Sequence, residues 1–228
     1  MESKESKEIK MVATSLDGTI KSTFHGNRLL LTGTLGADGN FTDVNHHLGL
    51  VSVDAFENQA KADNQYADNE TWPVASASPV MQGSVTLMQL DDKLRTDFFG
   101  QAAVNATVGE ASVSGFADTG VYPQRALMYV TDGIAKDANG NVVKSLLITF
   151  MPNAQCISTP QKKSETDSDG ISVVTWSADI QATSTEKYAP NSVQQPIYEF
   201  QVVGNDAVNS VIAQIKSGKM PVPTGAKG

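Results

Sequence analysis

The sequence predicts a mainly β fold carrying one short α-helix and one C-terminal α-helix. Three observations lead there. Residues 171–183 alternate strictly, so Val174, Trp176, Ala178 and Ile180 share one face and look inward. The steps Asp38-Gly39 and Asn139-Gly140 stand between apolar runs and are the residue types of hairpin turns. Only two stretches keep a helical spacing, one near residue 95 and one near residue 210.

Taken in order, residues 29–35 form a short apolar and β-branched strand, followed by the Ala37-Asp38-Gly39-Asn40 turn. A second strand spans 47–56 around Leu48, Leu50, Val51 and Val53. From Glu57 to Pro79 the periodicity disappears, and a loop of that length usually carries function or disorder. Strand pattern resumes at 82–90. Asp91 then caps a helix over 92–99, Leu90, Leu94 and Phe98 give it one apolar stripe, and Gly100 ends it. Residues 101–120 are small and Gly-rich, and read as a loop with an edge strand around Val104–Val113. Strands at 125–134 and 142–151 flank the 136–141 turn, and another strand spans 197–203. Asn205 or Asp206 caps a last helix bearing Val208, Val211, Ile212 and Ile215, which Gly218 stops. No internal repeat or linker divides the chain. Residues 1–219 therefore read as one domain, with an arm over about 1–26, a long loop over about 57–80, and an extended tail without core residues at 220–228.

Composition excludes several classes. Across 228 residues, hydrophobic residues reach 40% and charged residues only 18%, enough apolar content for a core. A net charge of −8, with no basic run longer than two residues, argues against a general nucleic-acid binder. The single cysteine, Cys156, permits no internal disulfide and points to synthesis in a reducing compartment. Residues 1–10 alternate acids and lysines and look like neither a signal peptide nor an anchor.

The chemistry-bearing residues do not assemble into a site. His46 and His47 are adjacent, so on a strand they point to opposite faces and make a poor metal pair; solvated histidines are the expectation. Asp167-Ser168-Asp169-Gly170 begins like a calcium loop, but Trp176 stands where the closing Glu is required, so a turn before a strand is expected. Cys156 has no neighbouring His or Lys and reads as an inert thiol. There is no nucleophile elbow, phosphate loop or dinucleotide fingerprint. The expectation is no catalytic residue, no metal and no cofactor.

The stretch 54–70 holds five acids and one lysine, Lys61. A solvated acidic loop accounts for it. So does a partner-contact loop, because Tyr66 and Trp72 are residue types enriched at interfaces.

Several segments resemble the major tail proteins of long-tailed phages infecting lactic acid bacteria, the lactococcal type in particular. They are LVSVDAFENQA at 50–60, YADN at 66–69, QGSVTLMQL at 82–90 with its following helix and FGQ at 99–101, and KSETDS at 163–168 with Trp176 and QAT at 181–183. Their order and spacing carry the resemblance from about residue 47 to about 217. Residues 1–46 match poorly. Some relatives carry an extra immunoglobulin-like domain that is expected to be absent here.

The resemblance implies a tail-tube-like fold, a β-sandwich or half-barrel of two packed sheets flanked by a helix. It implies hexameric rings stacked into a tube, a structural role in the virion, and no enzymatic activity. In that setting the 57–79 loop becomes the inter-ring contact, through Asn58, Gln59, Tyr66, Asp68 and Trp72. A tape-measure protein and tail-tip or terminator proteins become partners, with DNA a passing cargo. A monomeric β-sandwich binding module, for host carbohydrate as an example, is the alternative.

Overall fold

The computed structural model describes residues 22–60, 65–67, 70–72, 78–137, 139–164, 166–167, 170–171 and 173–223. β1 (Ser22–Leu35) turns through Gly36–Asn40 into β2 (Phe41–His47), as the Asp-Gly step predicts. Asp38 closes that turn by accepting from the Asn40 N–H at 3.1 Å and from its side-chain amide at 2.8 Å. Those bonds hold the Asp38 carboxyl below the usual carboxylate range.

The strand expected over 47–56 is broken in two. β2 ends at His47, and β3 (Leu50–Val53) begins after a bend at Leu48-Gly49, where Gly49 has φ +87°. A side chain at Gly49 would stand 3.0 Å from the Gln89 backbone nitrogen, so the bend needs a glycine. β3 pairs not with β2's neighbour but with β7 (Val80–Leu87), after the two-residue β4 (Glu57–Asn58) and the short β5 (Gln65–Ala67) and β6 (Glu70–Trp72).

After α1 (Asp92–Asp97) come β8 (Gln101–Val108) and β9 (Ala111–Asp118), then the long β10 (Gln124–Lys136) and β11 (Val142–Cys156). These last two form the hairpin predicted around Asn139-Gly140, with Asp137 accepting from the Asn139 and Asn141 backbone N–H groups at 2.9 and 2.8 Å. Three short strands follow: β12 (Gln161–Lys163), β13 (Thr166–Asp167) and β14 (Gly170–Ile171). The chain closes with β15 (Thr175–Thr183), β16 (Tyr198–Val203) and α2 (Asn205–Lys216). Ile171, expected at the head of the strand over 171–183, belongs instead to the β13–β14 pair.

The main sheet runs β2-β1-β10-β11-β15-β7-β3, and its two terminal strands are joined by Leu48-Gly49 alone. The sheet therefore curls until its ends nearly meet, a half-barrel closed by a bent strand. Inside the curl lies one core: Leu30, Leu87, Leu127, Met151, Ala178 and Ile180, plugged by Leu94, Phe98 and Phe99 from α1 and its exit. Sequence alternation put Ala178 and Ile180 inward, and they are buried there, with Trp176 packed against the same core.

The second core lies on the other side of β1, β10 and β11. Leu31, Met128, Val130, Leu146, Ile148 and Phe150 pack there under Val208, Ile212 and Ile215 of α2. Adjacent residues such as Leu30 and Leu31 serve different cores because a strand alternates faces. An aromatic group of Phe41, Phe150, Tyr188 and Tyr198 seals the edge of this layer; the Phe150 and Tyr188 rings lie 4.9 Å apart.

Two details at α2 differ from the expectation. Its N-cap is Gly204 (φ +107°), and the Asn205 side chain instead accepts from the Lys144 backbone N–H at 3.1 Å. The tail, expected to hold no core residue, buries Met220 to 7% exposure. Gly33 makes the space: a Cβ there would stand 3.0 Å from the Met220 sulfur.

Candidate assembly surface

Residues 101–120 are the largest departure from the sequence reading. They are not a loop with an edge strand but a complete antiparallel hairpin, β8 paired to β9 from Gln101↔Asp118 to Val108↔Ala111. It forms a two-stranded sheet of its own, outside the half-barrel. Every residue from 102 to 115 is exposed. The register sorts its side chains sharply. Ala102, Val104, Ala106 and Val108 lie opposite Ala117, Gly115, Val113 and Ala111, so one face is wholly apolar. The other face carries Gln101, Asn105, Thr107, Ser112, Ser114 and Asp118, together with Ala103 and Phe116.

A bare two-stranded hairpin is marginal in water, and this one is held at its base. The Arg95 guanidinium of α1 stacks 4.8 Å from the Phe116 ring centre and donates to Gln101 Oε1 at 3.1 Å. The Thr119 hydroxyl donates to the Gly100 carbonyl at 2.6 Å. Asp118 accepts from the Gly120 N–H at 2.7 Å, from Tyr122 at 3.1 Å and from the Thr159 hydroxyl. These bonds, that of Thr159 foremost, hold the Asp118 carboxyl below its ordinary value. The hairpin is thus an aimed arm with an unpartnered apolar face.

α1 itself is tied to the bend of the half-barrel. Asp91 Oδ1 accepts from the Leu94 N–H at 2.8 Å, the cap expected from the sequence. Its other oxygen lies 2.7 Å from His47 Nδ1, and His47 Nε2 lies 2.7 Å from the Thr32 hydroxyl. A carboxylate only accepts, so His47 donates from Nδ1 and takes the Thr32 proton at Nε2. His47 is 2% exposed, contrary to the expected solvated histidine. Burial lowers its pKa against the opposing pull of Asp91, so the imidazole is neutral at neutral pH. His46 points the other way and donates to the Ile215 carbonyl at 2.9 Å, closing the last turn of α2. The adjacent histidines therefore do face opposite sides; among the described residues no cluster suits a metal ion.

A pH dependence follows from His47. The unfolded chain protonates this histidine near 6.5, whereas the folded chain resists, so stability is full above that value and falls as pH drops through it. The melting temperature should decline between pH 7.5 and 5, and His47→Gln should flatten that decline. An unchanged slope in the variant would assign the dependence elsewhere.

Of the loop residues singled out by sequence, Asn58 has an internal task. Its side-chain oxygen accepts from the Ala60 and Val80 N–H groups at 2.9 and 3.3 Å, closing the base of the loop. The Gln59 N–H donates to the Val80 carbonyl at 2.7 Å. Tyr66 and Trp72 belong to the β5–β6 hairpin, in the pairs Tyr66↔Thr71 and Gln65↔Trp72. Asp68 lies outside the described residues. Cys156 is fully buried, donates to the Ser158 carbonyl, and burial pushes its thiol up to about 11, an inert group as expected. Asp167 pairs with Gly170 across β13 and β14, before β15; residues 168–169, on which the expected turn falls, lie outside the described ones. A groove of about 560 Å³ lies between the start of β2, α2 and the tail, lined by Phe41, Ile148, Val211, Ile215, Met220 and Pro221. No helix among the described residues is long and apolar enough to cross a membrane.

A curled β-sheet with an exposed apolar arm standing off it, and with a histidine and a cysteine buried in its packing, is an architecture open to more than one class of protein. Comparison with known proteins specifies which. The model of the phage tail tube protein family matches residues 14–220, and the chain belongs to that family. The tail tube protein of Lactococcus phage F4-1 is 28% identical over 210 residues, covering 89% of this chain and 67% of the relative. Those of Lactococcus phages SK1 and p2 are each 28% identical over 199 residues, covering 84% of this chain and 64% of theirs. The chain thus spans about two thirds of these relatives. The match begins at residue 14, so the likeness reaches well into the 1–46 segment expected to depart from the family.

Proposed function

We propose that the chain is a virion building block that self-assembles into stacked hexameric rings, forming the tail tube through which DNA passes on ejection. The observation that carries this reading is a four-stranded stretch of the sheet, β16-β11-β10-β1, bounded by unpaired edges. β16 pairs with β11 alone, and Ser22–Leu29 of β1 pairs with β10 alone among the described residues. Exposed edges invite pairing, and a closed ring of copies satisfies both edges of each at once.

The wall facing the cargo also follows. On the face turned away from α2, the register places Tyr129, Thr131, Leu147, Thr149, Glu199 and Gln201; Arg125 of β10 lies on this face at its α1 end, where it donates to the Asp97 carbonyl and to Thr34. A wall whose one arginine on β10 is tied to Asp97 and Thr34, and to which β10, β11 and β16 bring no lysine, does not retain a polyanion of about one charge per 1.7 Å. This reading takes that face as the lumen. The protein is made in the host cytoplasm. A tape-measure protein and tail-tip or terminator proteins are its partners, and residues 1–219 act as one domain with arm and tail as accessory contacts. The 57–79 loop remains a contact between rings, joined by the β8–β9 arm.

Negative-stain electron microscopy of the purified protein at high concentration, alone and with tail-tip and tape-measure components, tests the proposal. Rings or hollow tubes are expected. Isolated particles under both conditions would overturn it.

A further inference from the structure

We infer that the apolar face of the β8–β9 arm docks on a defined patch of a second copy of this chain, at the far end of β10. This rests on the tube reading above and names the contact that would propagate it. The arm returns to the body at Asp118, just before β10 begins at Gln124. At the other end of β10, Ile134 and Val142 are 47% and 66% exposed, beyond the cover of α2. The pairs Ile134↔Lys144 and Lys136↔Val142 put both apolar residues and both lysines on one face. Both lysines are exposed, and neither has an ion pair among the described residues.

The arm is the complement of this patch. Val104, Val108 and Val113 are 44%, 69% and 42% exposed on its apolar face, and the turn at its tip carries the exposed Glu110. An apolar surface ending in a carboxylate matches an apolar pair flanked by two ammonium groups. The two surfaces lie at opposite ends of one long strand. Each copy can then offer its arm to the next while receiving another, a heterologous contact that propagates from copy to copy. A second copy is the occupant because on one copy the base of the arm and the patch stand at opposite ends of β10, and both apolar surfaces stay exposed. Arg95, Thr119 and Asp118 fix the base of the arm, so little freedom is lost on docking.

Charge exchange tests the contact with the full chain. Glu110→Lys alone, and Lys136→Glu with Lys144→Glu, should each lower tube yield at least tenfold. The three substitutions together should restore it. All three sites are exposed, so melting temperatures should stay at the wild-type value and serve as the folding control. A second measurement mixes differently tagged Glu110→Cys and Lys136→Cys copies under mild oxidation; a disulfide between the tags is expected, and buried Cys156 leaves the background low. If the wild type forms tubes while the charge variants assemble equally well and no cross-link appears, this contact is overturned and the tube reading stands. If the wild type forms no assembly with its tail components, both fall together.

Discussion

Removal of the β8–β9 arm should abolish tube formation and leave the fold intact. The variant replaces residues 102–117 with an Asn-Gly turn joining Gln101 to Asp118, which are already cross-strand partners. Of the residues removed only Phe116, half-buried under Arg95, is partly covered, so the deletion uncovers little of the body. The melting temperature is expected to move by less than about 3 °C, because surface changes away from packed features usually lie within about 0.5 kcal/mol. Assembly should respond in the opposite way. Each copy loses one contact, but a stack of rings repeats that loss around every interface, and repeated weak contacts fail together. Electron microscopy should show dispersed particles or isolated rings. Tubes of normal length from the shortened chain would show that the arm plays no part in stacking.

The second large effect is on stability, at the joint between α1 and the arm. Gly100 has φ +60°, and a Cβ there would stand 2.0 Å from the Val121 carbonyl oxygen. That atom is backbone, so it cannot rotate aside as a flexible side chain would. The Gly100 carbonyl also receives the Thr119 hydroxyl and, at 3.1 Å, the Thr119 N–H. Gly100→Ala therefore combines a left-handed residue with a backbone collision. The expected cost is about 3 kcal/mol, from about 1–2 for the conformation and about 1–3 for overpacking. For a chain of this size that corresponds to a loss of about 6–12 °C in melting temperature. A loss below 2 °C would mean that the junction yields easily and that the aim of the arm is not fixed there. Surviving folded molecules should also assemble poorly, since the arm is re-aimed.

Much of the body was legible because local chemistry and tertiary need agree there. Asp91 capped its helix as read, Leu90, Leu94 and Phe98 became one buried stripe, and the Asn139-Gly140 step turned the longest hairpin. The arm was missed for a definable reason. Its strands are built of Ala, Ser, Val and Thr, so the alternation of 102–108 and 111–117 is shallow in hydropathy, although Gly109-Glu110 is a two-residue connection. His47 was unreadable because its partners, Thr32 and Asp91, lie 15 and 44 residues away. The bend at Gly49 was hidden by apolar residues on both sides, and only its transfer from one end of the sheet to the other reveals its purpose. In the long loop the sequence marked residue types suited to interfaces, yet Asn58 spends its side chain on closing the loop itself.

The pairing of β1 with β10 has a consequence for how the protein is made. Ser22 meets Ala135 and Gly33 meets Ala126, so β1, the first described strand, pairs early with β2 but waits for its other partner about a hundred residues behind it. At the slower end of synthesis, about 5 residues per second, that wait is on the order of twenty seconds. Throughout it, Leu30 and Leu31 have β2 alone as a neighbour, and neither core can close. Crowding many nascent copies together during that interval invites wrong pairings between their unshielded leucines. Correct monomers, ready for orderly addition to a growing tail, are thus set by the pace of translation as well as by the final fold.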